Sequence, residues 1–135
     1  MTKKLVAILN KKITVGQAMN ALAHMVMGLA KSNSNIDFAV ISYTDKDGNK
    51  HWASKHPFII LKAKNSNKIR TLREEVIKKN IIFSTFTNTM TVGTWQEQIE
   101  RSKGTPESEL EYFGICLFGD AETIDPLTKK FSLWQ

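Results

Sequence analysis

The residues able to do chemistry in this chain are few and mostly uncharged. Gln17, Asn20 and His24 recur at three- and four-residue steps and so fall on one side of a helix. A second polar group, Thr87-Asn88-Thr89, follows an apolar run, and Asn10, Lys11 and Lys12 follow another. Amides and hydroxyls in such places can orient a bound molecule or a water through hydrogen bonds, but they cannot take up a proton at neutral pH. Acid/base catalysis would need a carboxylate, imidazole or amine beside them, and only His24, Lys11 and Lys12 are near in sequence. His24, His51 and His56 have no partner at i+4, and no carboxylates accompany them at the spacing of a metal helix, so no metal site is expected. Cys116 sits between Ile115 and Leu117, where a thiol behaves as a small hydrophobe rather than as an activated nucleophile. Neither a Gly-x-Gly-x-x-Gly loop nor a Walker lysine is present, so no nucleotide cofactor is implied.

The elements that must position these groups can be read from apolar periodicity. Leu5 to Leu9 is a continuous apolar run, as in a strand buried on both faces. Thr14 is a good N-cap for a helix from about Val15 to Lys31, with Val15, Met19, Leu22, Val26 and Leu29 as its expected core stripe. Gln17, Asn20, His24 and Lys31 then lie opposite that stripe in a narrow polar strip. Either the strip lines a cleft or it is a thin solvated edge; His24 is read as locally packed rather than catalytic.

Ile36 to Lys55 alternates and carries Asp47-Gly48, the mark of a two-residue hairpin turn, so it reads as an excursion from the main sheet. Phe58 to Leu61 is a second buried strand. Asn65-Ser66-Asn67 then caps a helix that buries Ile69, Leu72, Val76 and Ile77. A third strand begins at Ile81, a short helix is expected around Trp95 to Arg101, and Tyr112 to Phe118 is the fourth strand. Thr123 to Thr128 suits a short helix, with Phe131, Leu133 and Trp134 as a final edge.

Strands separated by helices predict an α/β fold: a three-layer α/β/α sandwich around a mixed, mainly parallel four-stranded sheet, plus the β-hairpin. In such sheets ligands gather beyond the carboxyl ends of the strands. The candidate cleft is therefore Asn10, Lys12, Gln17, Asn20, His24, Thr87, Asn88 and Thr89.

With 135 residues, one domain spanning 1–135 is expected. The 19 Lys and Arg against 13 Asp and Glu leave a net charge of +6, which suits acidic partners such as RNA. One cysteine excludes an intrachain disulfide, and the apolar run after Met1-Thr2-Lys3-Lys4 is too short for a secretory segment or a membrane span. A cytoplasmic protein with no membrane association is expected.

The order of strand, Lys11-Lys12-Ile13-Thr14-Val15-Gly16, and Gln17-Ala18-Met19-Asn20-Ala21-Leu22-Ala23-His24 resembles the opening of type 2 peptidyl-tRNA hydrolases. That family shows a strand, a loop with Gly and Lys, and a helix reading Lys-x-x-Ala-Gln-x-x-His. Phe118-Gly119 and Leu127-Thr128-Lys129-Lys130-Phe131 are similar to its later segments. The resemblance covers nearly the whole chain apart from the Ile36 to Lys55 hairpin, and is nearest to an uncharacterised branch, domains of unknown function on that architecture. The departures fall on the chemistry. Gln17 stands where the family has Lys, Ala21 where it has Gln, Thr87-Asn88-Thr89 where it has Asp, and Tyr112 or Gly114 near its Thr.

Polar, uncharged groups at the strand ends and on the first helix, without acid/base partners, favour a ligand-binding or regulatory module on that scaffold, for a small polar or peptide-like molecule. The alternative is an active hydrolase on peptidyl-tRNA or a related ester, with Asn88 orienting water, Gln17 or Lys12 stabilising the intermediate, and tRNA as partner. A third expectation is a homodimer packing through Trp95, Phe131 and Trp134.

Overall fold

The computed structural model describes residues 2–135. The chain enters on β1 (Lys3–Asn10), crosses through α1 (Val15–Ser32), and makes a hairpin of β2 (Val40–Thr44) and β3 (Lys50–Ser54). It continues through β4 (Phe58–Ala63), α2 (Ser66–Lys78), β5 (Ile82–Thr87) and α3 (Trp95–Lys103). It closes with β6 (Tyr112–Asp120), α4 (Ala121–Thr128) and the two-residue β7 (Ser132–Leu133).

The main sheet has five strands rather than four, in the order β5-β6-β1-β4-β7, with the hairpin as a separate two-stranded sheet. Among the described residues only β1 and β4 pair in parallel; β6 is antiparallel to both β1 and β5, and β7 to β4. The mixed, mainly parallel sheet expected from the sequence is thus corrected to a mixed, mainly antiparallel one. The physical reason lies between β5 and β6. There α3 does not cross the sheet but folds back on the 3₁₀ turn Asn88–Met90, where Arg101 donates to the carbonyls of Thr89 and Val92, both at 2.9 Å. The chain re-enters from the end it left, so β6 must run against β5.

Alternate residues of β1 supply two cores, as a strand buried on both faces requires. Val6 and Ile8 join Ile69, Leu72 and Val76 of α2 and Ile124 and Leu127 of α4. Leu5, Ala7 and Leu9 join Ala18, Ala21, Met25 and Leu29 of α1 with Phe86, Phe113 and Phe118. Helices therefore cover both faces of the sheet, in three layers. Ile77, expected in the core, is exposed, because the buried stripe of α2 is the narrower one through Ile69, Leu72 and Val76.

The expected core stripe of α1 also needs correction. Val15 is 60% and Met19 64% exposed, while the buried positions are Ala18, Ala21, Met25 and Leu29. Small residues form the contact face because α1 lies close to the sheet. A Cβ on Gly114 of β6 would come within 2.7 Å of the Met25 methyl and 3.2 Å of the Ile8 carbonyl oxygen, and one on Gly28 within 3.2 Å of Ser84 Oγ. Large side chains displaced from that contact line a shallow apolar groove of about 500 Å³, where Met19, Leu22, Ala23 and Val26 meet Phe58 and Ile60.

The hairpin turn is longer than the two residues Asp47-Gly48. Its loop runs from Asp45 to Asn49, with Asp45 Oδ1 accepting the N–H groups of Asp47 and Asn49 and Gly48 at φ 86°. His51 Nε2 lies 3.0 Å from Asp45 Oδ2, and that contact, with the backbone donors, holds the Asp45 carboxyl below its usual range.

Candidate functional site

The polar strip of α1 faces the place where β5 ends and β6 begins. Its direction is set at Thr14, whose hydroxyl accepts the Gln17 N–H at 3.2 Å while Gln17 Oε1 accepts the Thr14 N–H at 3.0 Å. This reciprocal capping box contributes on the order of 1 kcal/mol and orients the Gln17 amide at the start of the helix. One turn on, Asn20 makes no side-chain hydrogen bond with another described residue, so its amide is available to a ligand. Gly16, Gln17, Asn20, Phe86, Thr91 and Phe113 enclose an open cleft of about 300 Å³. His24 stands beside it, its ring stacked on Phe86 with centroids 5.1 Å apart and planes 21° apart.

The remaining residues of the expected cleft are placed otherwise. Asn10 is 1% exposed and serves the scaffold: its Nδ2 donates to the Tyr112 carbonyl at 3.1 Å and its Oδ1 accepts the Lys12 N–H at 2.9 Å. It ties the end of β1 to the start of β6. Asn88 Oδ1 accepts the Glu111 N–H at 3.0 Å, and the Asn88 N–H donates to the Glu111 carbonyl at 2.9 Å, closing the loop between β5 and β6. Thr89 is buried, its hydroxyl 2.8 Å from both Thr87 Oγ1 and the Ser102 hydroxyl that donates to it. Lys12 is exposed and does not line the cleft. The structure thus brings Gln17 and Asn20 together, with His24 at the side, and turns Asn10, Thr87, Asn88 and Thr89 into supports.

Four cleft residues were missing from the expected set: Gly16, beside Gln17 at the start of α1, and Phe86, Phe113 and Thr91. The two phenylalanines read as core, and both are largely buried. The signal available was position, since each ends or begins a strand at the rim of the sheet, where an aromatic ring can serve core and cleft at once. Thr91 lies past the expected polar triplet because the 3₁₀ turn carries the chain back toward α1; its hydroxyl donates to the Asn88 carbonyl at 2.7 Å.

The chemistry of this cleft is hydrogen bonding between aromatic walls. Its lining includes no carboxylate, amine, imidazole or thiol. Cys116 is buried in β6, and burial pushes its thiol up to about 12, so it stays protonated. Among the described residues, no three His, Cys, Asp or Glu side chains gather as a metal site, and no helix is long and apolar enough to cross a membrane.

A second polar cluster lies on the other side of β6. Arg70 Nε donates to Glu107 Oε2 at 3.0 Å, the Tyr112 hydroxyl donates to the same oxygen at 2.8 Å, and the guanidinium lies 5.2 Å from the Tyr112 ring centre. Those two donors, the tyrosine first, hold the Glu107 carboxyl below its usual range. Burial, reinforced by Glu107, pushes the Tyr112 phenol up to about 12. The aromatic side chains expected to share one interface lie on different elements: Trp95 begins α3, which follows β5, whereas Phe131 and Trp134 flank β7, the edge strand beside β4.

Comparison with known proteins gives fold and family. No curated protein matches the sequence. Among solved structures, the protein of unknown function Atu0240 from Agrobacterium tumefaciens strain C58 superposes with a TM-score of 0.83 at 20% identity, covering 100% of this chain and 99% of that one. At that identity the likeness is one of fold. The family model described as "Protein of unknown function (DUF2000)" matches residues 3–135, and on that match the chain belongs to the DUF2000 family.

Proposed function

We propose that this protein is a ligand-binding or regulatory module on a scaffold like that of the type 2 peptidyl-tRNA hydrolases, and that its cleft takes a small polar or peptide-like ligand. The observation that carries this reading is the lining itself: the Gln17 and Asn20 amides share one cleft with Phe86 and Phe113, and no carboxylate, amine, imidazole or thiol lines it. Amides recognise amides by paired donor and acceptor, and the adjoining rings offer a ligand apolar surface to pack on. The fit to a peptide-like molecule follows from that pairing.

The test is a thermal-shift and calorimetric screen of short N-acylated peptides and amino-acid amides. Wild-type protein should be stabilised by at least one of them. Asn20→Ala should abolish the effect, and so should Gln17→Glu, which keeps the capping acceptor but removes the amide donors and adds a charge. Absence of any binder, or a binder indifferent to both substitutions, refutes the proposal.

The alternative, hydrolysis of peptidyl-tRNA or a related ester, asks Asn88 to orient water, yet its Oδ1 already accepts the Glu111 N–H. Release of the peptidyl group by purified protein at low salt, lost in Asn88→Ala and retained in Asn20→Ala, would reverse the ranking.

A further inference from the structure

At the same end of the sheet as the cleft, around the carboxyl ends of the parallel pair β1 and β4, five lysines surround one cavity. Lys11, Lys62, Lys64, Lys68 and Lys130, with Phe131 and Ser132, line a space of about 250 Å³. The backbone forces this gathering. Asn10 pairs with Ala63 in the parallel register, so Lys11 and Lys64 emerge side by side one residue beyond it, and Lys62 is opposite Ser132 of β7. Lys68 rises from the first turn of α2, whose positive dipole end begins at Ser66. The only carboxylate among the described residues that reaches any of these amines is Glu75, 3.4 Å from Lys130 Nζ and outside the cavity lining.

Five ammonium groups around one concavity repel one another, and among the described residues four of them have no carboxylate partner. A multivalent anion removes that repulsion, and concave walls of low dielectric concentrate the field that attracts it. We propose that this cavity is a binding site for a polyphosphate group, two or more linked phosphates at the end of a small molecule. A compact pocket, unlike a tract of lysines along a face, encloses a terminal group better than it follows a continuous phosphodiester backbone. The site is separate from the amide cleft, and the proposal stands without a ligand there.

The experiment titrates the whole chain with inorganic triphosphate, pyrophosphate, orthophosphate and a short single-stranded oligonucleotide by calorimetry at low salt. Triphosphate should bind more tightly than pyrophosphate, and pyrophosphate more tightly than orthophosphate. The variant carrying Lys62→Gln, Lys64→Gln and Lys68→Gln should bind triphosphate about ten- to a hundredfold more weakly, the loss of a few charged hydrogen bonds. A control with the same change in net charge, Lys46→Gln, Lys50→Gln and Lys55→Gln in and around the hairpin, should stay within about twofold, as expected of screened distant charges. Circular dichroism of both variants separates lost binding from lost folding. Undetectable triphosphate binding, equal weakening in both variants, or an oligonucleotide that binds at these lysines more tightly than triphosphate would each overturn the proposal.

Discussion

Replacing Asn10 by alanine separates a scaffold role from a ligand role for the most buried polar residue of the expected cleft. Its Nδ2 donates to the Tyr112 carbonyl, and Tyr112 is 1% exposed, so water cannot readily take the amide's place. Removing the partner of a buried polar group costs about 1–3 kcal/mol. The Oδ1 bond to the Lys12 N–H is lost as well, but Lys12 is exposed and its N–H can turn to water, which limits that loss to about 0.5–1.5 kcal/mol. Asn10→Ala should therefore lose about 1.5–4.5 kcal/mol in total, read as a lowered urea midpoint by tryptophan fluorescence and circular dichroism. Asn10→Asp sharpens the test. It keeps the acceptor for Lys12 but sets a carboxylate oxygen against the Tyr112 carbonyl, and protonation restores a donor. The folded state thus favours the protonated form of the new Asp, so its deficit against wild type should be smaller at pH 4 than at pH 7. An Asn10→Ala protein within about 0.5 kcal/mol of wild type, or an Asn10→Asp deficit that grows in acid, would refute the assignment of Asn10 to the scaffold.

Three further outcomes follow from the packing and the polar cluster. Gly114→Ala should destabilise the fold by about 1–3 kcal/mol, because the added methyl meets the Ile8 carbonyl oxygen as well as the Met25 and Leu9 side chains; a denaturation midpoint unchanged from wild type would show that α1 can move off β6. Glu107 is held below its usual range in the folded state, so its contribution is present above the unfolded value of about 4.5 and lost as pH falls through the folded one. Glu107→Gln should flatten the acid limb of a stability profile. Tyr112 is shifted the other way, and its contribution is intact below about pH 10 and lost as pH climbs towards about 12, a component that Tyr112→Phe should remove.

Much of the architecture was legible in the amino-acid sequence, for local reasons. The continuous run Leu5 to Leu9 reads as a doubly buried strand because both faces demand apolar side chains, and Thr14 and Asn65 cap the two helices predicted from them. The excursion at Ile36 to Lys55 follows from alternation and turn chemistry, both properties of neighbouring residues. Which amides of α1 share a side is helical arithmetic, and Gln17 and Asn20 do meet in the cleft.

Tertiary structure decided what depends on residues distant in the chain. The direction of β6 rests on α3 folding back onto the 3₁₀ turn, and no periodicity in Trp95 to Lys103 distinguishes a helix that crosses a sheet from one that stays at its end. The contact face of α1 fell on alanines because Gly28 and Gly114 let the helix approach, a choice made by the partner strands. Asn10, Asn88 and Thr89 belong to the scaffold only because Tyr112, Glu111 and Ser102 stand beside them. The lysine cavity likewise exists only once β4, α2 and the segment after α4 are brought to the end of β1. Sequence set the kinds of group and their local spacing; the long-range pairing of strands decided which of them bond to each other and which are left for a ligand.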